Sequence, residues 1–338
     1  MSDAVNCGQG GGADTYTNLR IASVFIILVG STTGTLFPVL SKRSSWLRVP
    51  DSVFNFAKYF GSGVIIATAF IHLLSPALSE LGSPCLSAAW QEYPYALAIA
   101  MFSLFSIFIV ELVAFRWGTA KLAKLGVVHD AHGHGVGALA AHGPEKVEPE
   151  EDIRADTLSE RSDPEAATKS TAMDSNVLAQ IIGVFILEFG VLLHSIFIGL
   201  TLAVDPNFKV LFIVIVFHQT FEGLGLGSRL AQLKLSARYR YVPVVAALFY
   251  GITTPIGIAA GLGVRETYNP GSTTASIVSG VMDSLSAGIL LYTGLVELLA
   301  HEFLFSKEMS QASNGKVVYA VVCMLCGTAI MALLGKWA

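Results

Sequence analysis

Charged residues are scarce in this chain. Of its 338 residues, only 14% are charged and 53% are hydrophobic, whereas soluble globular proteins carry about 25% charged residues. This scarcity excludes an ordinary soluble domain and indicates a protein that crosses the lipid bilayer several times. The formal net charge of -4 says little about partners, because the charges are segregated by loop. No nucleic-acid partner is expected for such a membrane protein.

Two common motifs are also missing. Residues 1–18 are polar and glycine-rich, without a basic segment ahead of an apolar core, so no cleavable signal peptide is predicted. The first apolar block is therefore expected to remain as a membrane span. No GxxxxGK[ST] phosphate-binding loop occurs, which leaves direct drive by ATP through such a loop unsupported.

The chain instead contains eight blocks of about 18 or more mostly apolar residues, the length that crosses a bilayer core of about 30 Å. These blocks predict an all-α polytopic membrane protein with eight transmembrane helices. The blocks are Leu19–Leu40, Phe54–Leu74, Tyr93–Phe115, Val177–Val204, Val210–Leu230, Val242–Val264, Ser276–Phe305 and Val317–Trp337.

Lysine and arginine residues fall almost entirely on one side of these blocks. All but four of the 21 lie in the connections after blocks one, three, five and seven or at the block ends next to them; the exceptions are Arg20, Lys209, Arg265 and Lys336. Because basic residues favour the cytosolic side, both termini are predicted to be extracytosolic. The predicted organisation is an external tail (1–18), helices one to three (19–115), a cytosolic histidine-containing loop of disordered composition (116–176), and helices four to eight with the metal site (177–338).

Polar side chains interrupt the fourth and fifth blocks. His218 and Glu222 are four residues apart, so a helix places them on one face about a turn from each other. His194 lies in the preceding block, and the three side chains together form a ligand set that zinc accepts. Ser195 and Gln219 follow the two histidines and are predicted to be weaker ligands or donors that orient the imidazoles. A single intramembrane histidine can simply bond a neighbouring helix, but the whole group favours a metal site.

These motifs resemble those of the Zrt/Irt-like, or ZIP, family of divalent-metal transporters, and most of all its fungal zinc-transporter branch. The resemblance rests on HSIFIGLTLAV in the fourth block, HQTFEGLGLGSRL in the fifth, TTPIGI in the sixth and LVELLAHEF in the seventh. It implies a ZIP-type bundle that carries zinc, and in some members iron, manganese or cadmium, into the cytosol through a site between helices four and five. The ion is then a transported substrate, and no cofactor is expected.

The resemblance also implies roles for individual residues. It assigns the metal site to the same five residues of the fourth and fifth blocks. Ile198 and Thr254 stand where some relatives have carboxylates, so a single transported ion is expected. The family places residues that relay the metal near the helix ends, and the corresponding residues here are His72, Glu297, His301 and Glu302. For His72 taken alone, a structural hydrogen bond is an equally good interpretation.

Two further groups lie outside the apolar blocks. The stretch HDAHGHG places His129, His132 and His134 in the cytosolic loop, where such a tract indicates weak metal binding and a solvated linker is the alternative. Cys7 and Cys85 both fall on the extracytosolic side, where disulfides persist, and are a candidate pair.

Two other functions remain open from the sequence. An intramembrane zinc metalloprotease would typically carry HExxH, whereas HQTFE supplies one histidine, so an enzyme is not expected. A metal-sensing receptor without transport is the second alternative. The plasma membrane is the expected location, with an organellar membrane as the alternative. A second copy of the chain is a candidate partner.

Overall fold

The structure, a computed structural model, describes residues 7, 11–43, 49–124, 188–233, 235, 239–267, 269 and 271–337. They fall in two compact units, Met1–Ile109 with Val184–Ala338 and Val110–Gly183, and the site described below lies in the first unit. The loop histidines His129, His132 and His134 lie outside the described residues.

Every regular segment within the described ranges is helical. Two short helices, Ala88–Gln91 and Lys307–Ser310, accompany eight longer ones. Seven of the eight are long and apolar enough to cross a membrane, and the remaining one is described only from Glu188 onwards. The longer helices are α1 (Thr17–Ser41), α2 (Asp51–Leu81), α3 (Tyr95–Lys124), α4 (Glu188–Val204), α5 (Phe208–Leu230), α6 (Val242–Val264), α7 (Thr273–Leu304) and α8 (Asn314–Leu334).

The predicted apolar blocks coincide with these helices, and most differences are polar extensions. α7 begins three residues before the apolar block because Ser272 caps it, accepting a hydrogen bond from the Ala275 N–H at 3.2 Å. Ser313 caps α8 in the same way through the N–H of Lys316. Hydropathy detects the part of a helix that suits lipid, whereas a cap needs only one side-chain oxygen at the first turn.

The outer and inner surfaces of the bundle have opposite polarity. Large apolar side chains such as Phe102 are exposed, in that case by 69%, whereas Glu222 is 0% exposed. An exposed apolar surface around a polar interior suits a lipid surrounding, where the interior is the place for costly polar groups. The protein is an integral membrane protein.

Glycines bring the helices that carry the predicted metal ligands into backbone contact with their neighbours. A methyl group on Gly225 of α5 would lie 2.9 Å from the Cα atom of Gly61 on α2. A methyl group on Gly199 of α4 would lie 2.9 Å from the backbone nitrogen of Ile258 on α6. Small residues permit such close approach between membrane helices, and here they draw α2, α4, α5 and α6 together.

Two helices contain π-helical segments. The segment Thr68–Leu74 lies within α2 and includes His72, and Thr293–Leu304 ends α7 and includes Glu297, His301 and Glu302. Segments of this kind are frequent at functional sites because they change which side chains face a neighbouring helix.

The end of the bundle at which α1 begins, called the tail end here, is held by a buried arginine. Arg20 donates hydrogen bonds to the backbone oxygens of Thr15 (2.7 Å), Leu202 (2.9 Å) and Asp205 (2.7 Å). Its guanidinium also lies 4.5 Å from the ring centre of Phe208. Carbonyls at a helix C-terminus lack partners within the helix, so Arg20 ties the start of α1 to the end of α4.

The N-terminal tail is attached to the same end. The structure joins Cys7 to Cys85 in a disulfide bond, with Cα atoms 5.2 Å apart. The Gly12 N–H donates to the backbone oxygen of Arg265 at 2.7 Å, and the Arg265 guanidinium pairs with Asp14 at 2.6 Å. The tail therefore contacts both the loop after α2 and the end of α6.

Candidate metal centre

Three buried side chains meet where α4 passes α5. His194 of α4 faces His218 and Glu222 of α5, and one potential ligand atom from each lies within 4.8 Å of the others. The α5 pair is separated by one helical turn, with His218 Nε2 3.8 Å from Glu222 Oε2. The imidazole rings of His194 and His218 have centres 5.5 Å apart. The helical spacing of the two α5 residues and the close packing of α4 thus produce a compact centre.

Several polar atoms of this centre lack hydrogen-bond partners among the described residues. Neither ring nitrogen of His194 has a hydrogen bond, and the same holds for His218 Nε2 and Glu222 Oε1. Buried polar atoms in proteins nearly always have a hydrogen-bond partner, and leaving one without is costly. Two imidazoles and a carboxylate are also a ligand set that zinc accepts. The centre therefore has the properties of a binding site for a divalent cation.

A network of hydrogen bonds supports one side of the centre. The Tyr250 hydroxyl of α6 lies 3.2 Å from Glu222 Oε2 and 2.9 Å from the backbone oxygen of Gln219. The Gln219 amide donates to the hydroxyls of Thr254 and Ser195. Ser195 and Gln219 are thus bonded to each other beside the three ligands. Tyr250 fixes the orientation of Glu222 because a buried hydroxyl needs an acceptor.

His72 lies beside the centre rather than apart from it. Its ring centre is 4.6 Å from that of His218, in an edge-on arrangement, and its Nε2 is 2.9 Å from the backbone oxygen of Met331. His72 thus makes a structural hydrogen bond and also contacts a histidine of the centre. A structural role and a role in relaying the metal, the two interpretations from the sequence, are therefore compatible.

The sequence did not single out two residues that contact the centre. Asp283 of α7 has its Oδ1 3.7 Å from Nδ1 of His194, and Tyr250 bonds Glu222 as described. Asp283 could have been noticed, because an acidic residue within an apolar block is a functional candidate. Tyr250 carries no such signal, since a tyrosine in an apolar helix is common and its role depends on which helix faces it.

The remaining predicted residues lie at the other end of the bundle. Glu302 Oε1 is 3.4 Å from Lys58 Nζ and 3.5 Å from Arg229, while its Oε2 is buried without a hydrogen bond. His301 and Glu297 belong to the same π-helical segment of α7 and are half-buried. Glu302 follows Asp283 by 19 positions along the helix, which corresponds to roughly 28 Å at about 1.5 Å per residue. These residues are therefore not ligands of the centre.

Known proteins resemble this chain over nearly its full length. A family profile described as ZIP Zinc transporter matches residues 17–335. Zinc-regulated transporter 2 of Saccharomyces cerevisiae is 37% identical, across 98% of this chain and 97% of the relative. Zinc-regulated transporter 1 of the same yeast is 42% identical, across 97% and 90%. Zinc-regulated transporter 1 of Schizosaccharomyces pombe is 39% identical, across 100% and 90%. The similarity extends far beyond the motifs of α4 and α5.

Proposed function

Because the chain belongs to the ZIP family of zinc transporters, as its motifs predict, we propose that it carries Zn2+ into the cytosol through the centre formed by His194, His218 and Glu222. The observation that carries this proposal is the convergence of three buried side chains, each of which has at least one polar atom without a hydrogen-bond partner among the described residues. The fungal relatives are zinc-regulated transporters by name, which supports zinc as the substrate.

The geometry suits reversible binding. A tetrahedral zinc with bonds of about 2.1 Å separates its ligand atoms by about 3.4 Å. The ligand atoms lie up to 4.8 Å apart, so the side chains must close in by roughly 1 Å around the ion. Three protein ligands leave one coordination position for water, which limits the affinity and allows release. Glu222 supplies negative charge that offsets the desolvation of the cation.

One ion at a time is the stoichiometry that we propose for this centre. Carboxylates at Ile198 and Thr254 would provide ligands for a second ion, but neither residue offers one. The Thr254 hydroxyl also accepts the Gln219 amide and belongs to the supporting network. Iron, manganese and cadmium remain candidate substrates, because two imidazoles and a carboxylate also suit several divalent metals.

We propose that the tail end faces outwards and that all eight helices cross the bilayer. The opposite end carries Lys58 and Arg229, in keeping with a cytosolic surface. The tail end carries the Cys7–Cys85 disulfide, a bond that persists outside the cytosol. Both termini are then extracytosolic, and the plasma membrane is the proposed location. Mass spectrometry of unreduced peptides that found both cysteines as free thiols would contradict the disulfide.

On this orientation the ion leaves the centre towards Glu297, His301 and Glu302. Lys58 and Arg229 contact one oxygen of Glu302 and leave the other without a hydrogen bond. We propose that this second oxygen receives the departing cation. His72, which touches His218, is a proposed relay next to the centre.

The test is uptake of radioactive zinc by the purified full-length chain in liposomes. We expect time-dependent accumulation inside vesicles, and no accumulation in vesicles that contain a His218→Ala, Glu222→Ala variant reconstituted at the same density. A peptide-cleavage assay on the same preparation addresses the metalloprotease alternative. Zinc binding without accumulation would instead indicate a receptor and contradict the proposed transport.

A further inference from the structure

One face of α7 leads from the tail end to the metal centre. Ser276, Gly280 and Asp283 are spaced by four and three residues, so they lie along the same side of the helix. All three are buried, and Asp283 is only 7% exposed. A buried acidic side chain on a membrane helix needs a partner, because an uncompensated charge is costly there.

Glu80, near the end of α2, lies across this face. A methyl group on Gly280 would lie 3.1 Å from Glu80 Cβ, so the absence of a side chain at Gly280 makes room for Glu80. Asp283 follows Gly280 by three residues, about 4.5 Å along the axis. Glu80 and Asp283 therefore lie against the same face of α7, but with His194 they do not bring three ligand atoms within 4.8 Å of one another, so the side chains must close in around an ion.

Asp283 is also adjacent to the centre. Its Oδ1 lies 3.7 Å from Nδ1 of His194, beyond hydrogen-bond distance, and both atoms are buried without a hydrogen-bond partner. Within the described residues, the ion pairs of the structure include none between Asp283 or Glu80 and a lysine or arginine. The separation is close to the roughly 3.4 Å between two ligand atoms of one tetrahedral zinc.

We propose that Asp283, Glu80 and Nδ1 of His194 form a second cation site, called the outer site, which receives a divalent ion from the tail end before it reaches the centre. Two neighbouring carboxylates and an imidazole nitrogen without a partner attract a divalent cation. The bound cation reduces the repulsion between the carboxylates and gives the nitrogen a partner. The inference rests on the proposed function for the direction of travel, but not for the existence of the site.

His194 connects the two sites. Both of its ring nitrogens lack hydrogen bonds, so one is free for each site. A neutral imidazole has a lone pair on only one nitrogen at a time, and His194 therefore ligates one ion at a time. The outer site and the centre are filled in succession, and the transfer of the ion is coupled to a change of the His194 tautomer.

Zinc binding to purified full-length protein tests the outer site. All variants carry His129, His132 and His134 replaced by alanine, so that the loop does not bind the metal. With the centre disabled by His218→Ala and Glu222→Gln, which keep His194, we expect one residual and weaker zinc site. Adding Asp283→Asn should weaken that residual site on the order of tenfold or more. Binding is measured by competition with a fluorescent zinc indicator.

The matched control is Ser284→Ala. Ser284 adjoins Asp283, is fully buried and bonds the backbone oxygen of Gly280 within its own helix, so residual zinc binding should not change. Should Asp283→Asn fail to fold, Glu80→Gln tests the same site at a less buried position, with a smaller loss expected. Residual binding that is absent, or that is unchanged by Asp283→Asn and Glu80→Gln, would overturn the proposal.

Transport gives a second readout. In the otherwise unaltered protein, Asp283→Asn should raise the KM for external zinc several-fold with little change in kcat, and Asp283→Glu should restore part of the loss. A purely structural role would lower the amount of active protein and leave KM unchanged, which would count against the outer site. If the unaltered chain does not transport zinc but retains Asp283-dependent binding, the proposed function fails and the outer site stands.

Discussion

Arg20 and His194 are both polar, both almost fully buried and both part of the α1–α4–α5 region, but their surroundings differ. Each of the three guanidinium nitrogens of Arg20 donates a hydrogen bond to a backbone oxygen. His194 has two ring nitrogens and no hydrogen bond to either. Burial alone therefore does not distinguish the proposed metal ligand His194 from the structural residue Arg20, whereas the absence of a hydrogen-bond partner does.

The difference follows from position along the helices. Arg20 lies at the tail end, where the last carbonyls of α4 have no partner within their helix. His194 lies nearer the middle of α4, away from the tail end, where the backbone groups of neighbouring helices bond within their own helices. A polar side chain at that level can be satisfied only by another side chain or by a ligand, and the facing atoms His218 Nε2 and Glu222 Oε1 have no hydrogen-bond partner among the described residues either.

Substitution at the centre should give the largest effect on transport. His194→Ala, His218→Ala and Glu222→Ala should each lower zinc uptake by at least about tenfold, because each removes a ligand. In the absence of metal, His194→Ala should lower the melting temperature less than Glu222→Ala, because Glu222 accepts a hydrogen bond from Tyr250 whereas neither ring nitrogen of His194 has a partner among the described residues. Uptake in liposomes and thermal melting in detergent measure the two effects. Near-normal uptake in any two of the variants would show that the centre is assigned wrongly.

Arg20 should show the opposite pattern. Arg20→Leu removes hydrogen bonds to three carbonyls and should cost about 2 kcal/mol or more of stability, while the zinc KM of the folded fraction stays unchanged. Arg265→Leu is the matched control, because its partner Asp14 has an 84% exposed side chain and exposed pairs contribute about 1 kcal/mol or less. Equal melting temperatures for the two variants would contradict the structural role of Arg20.

The sequence predicts the helices well because they are long and apolar. Val242–Val264 is predicted with both ends as observed, and the starts of α7 and α8 lie before their apolar blocks because Ser272 and Ser313 cap these helices. α3 continues to Lys124, past the predicted end at Phe115, since the residues that follow include good helix formers such as alanine, leucine and lysine. Polarity changes along the chain thus locate the spans but not their last turns.

The candidate site is predictable only in part. His218 and Glu222 can be paired from their spacing, because helical geometry fixes which residues share a face. The contacts of Asp283 and Tyr250 depend on which helices pack together, and no spacing within one helix contains that information. His72 lies beside His218 in a π-helical segment, where the usual helical periodicity no longer gives the direction of a side chain.

Arg20 and His194 should also differ in their response to acidification. An imidazole nitrogen binds metal only when it is unprotonated, so protons compete with zinc at the histidine ligands. Lowering the external pH from about 7.5 to about 5.5 should therefore weaken the apparent affinity for zinc. The contacts of Arg20 should persist, because arginine keeps its charge over this range. Uptake in liposomes with clamped internal pH and voltage measures the KM. An affinity that is constant or tighter down to about pH 5 would argue against two histidine ligands.

The smallest effect is expected from the loop histidines. The sequence places His129, His132 and His134 outside the apolar blocks, so a zinc ion need not pass them to cross the bilayer. Replacing all three with alanine should leave the initial rate of uptake in liposomes within about twofold of the unaltered protein. The same replacement should alter the response of cells to prolonged high zinc, because a histidine tract indicates weak metal binding. His194→Ala serves as the reference for lost transport in the same assay. A complete loss of the initial rate in the loop variant would place these histidines on the transport pathway. Burial without a hydrogen-bond partner would then not be what distinguishes the residues that contact the transported ion.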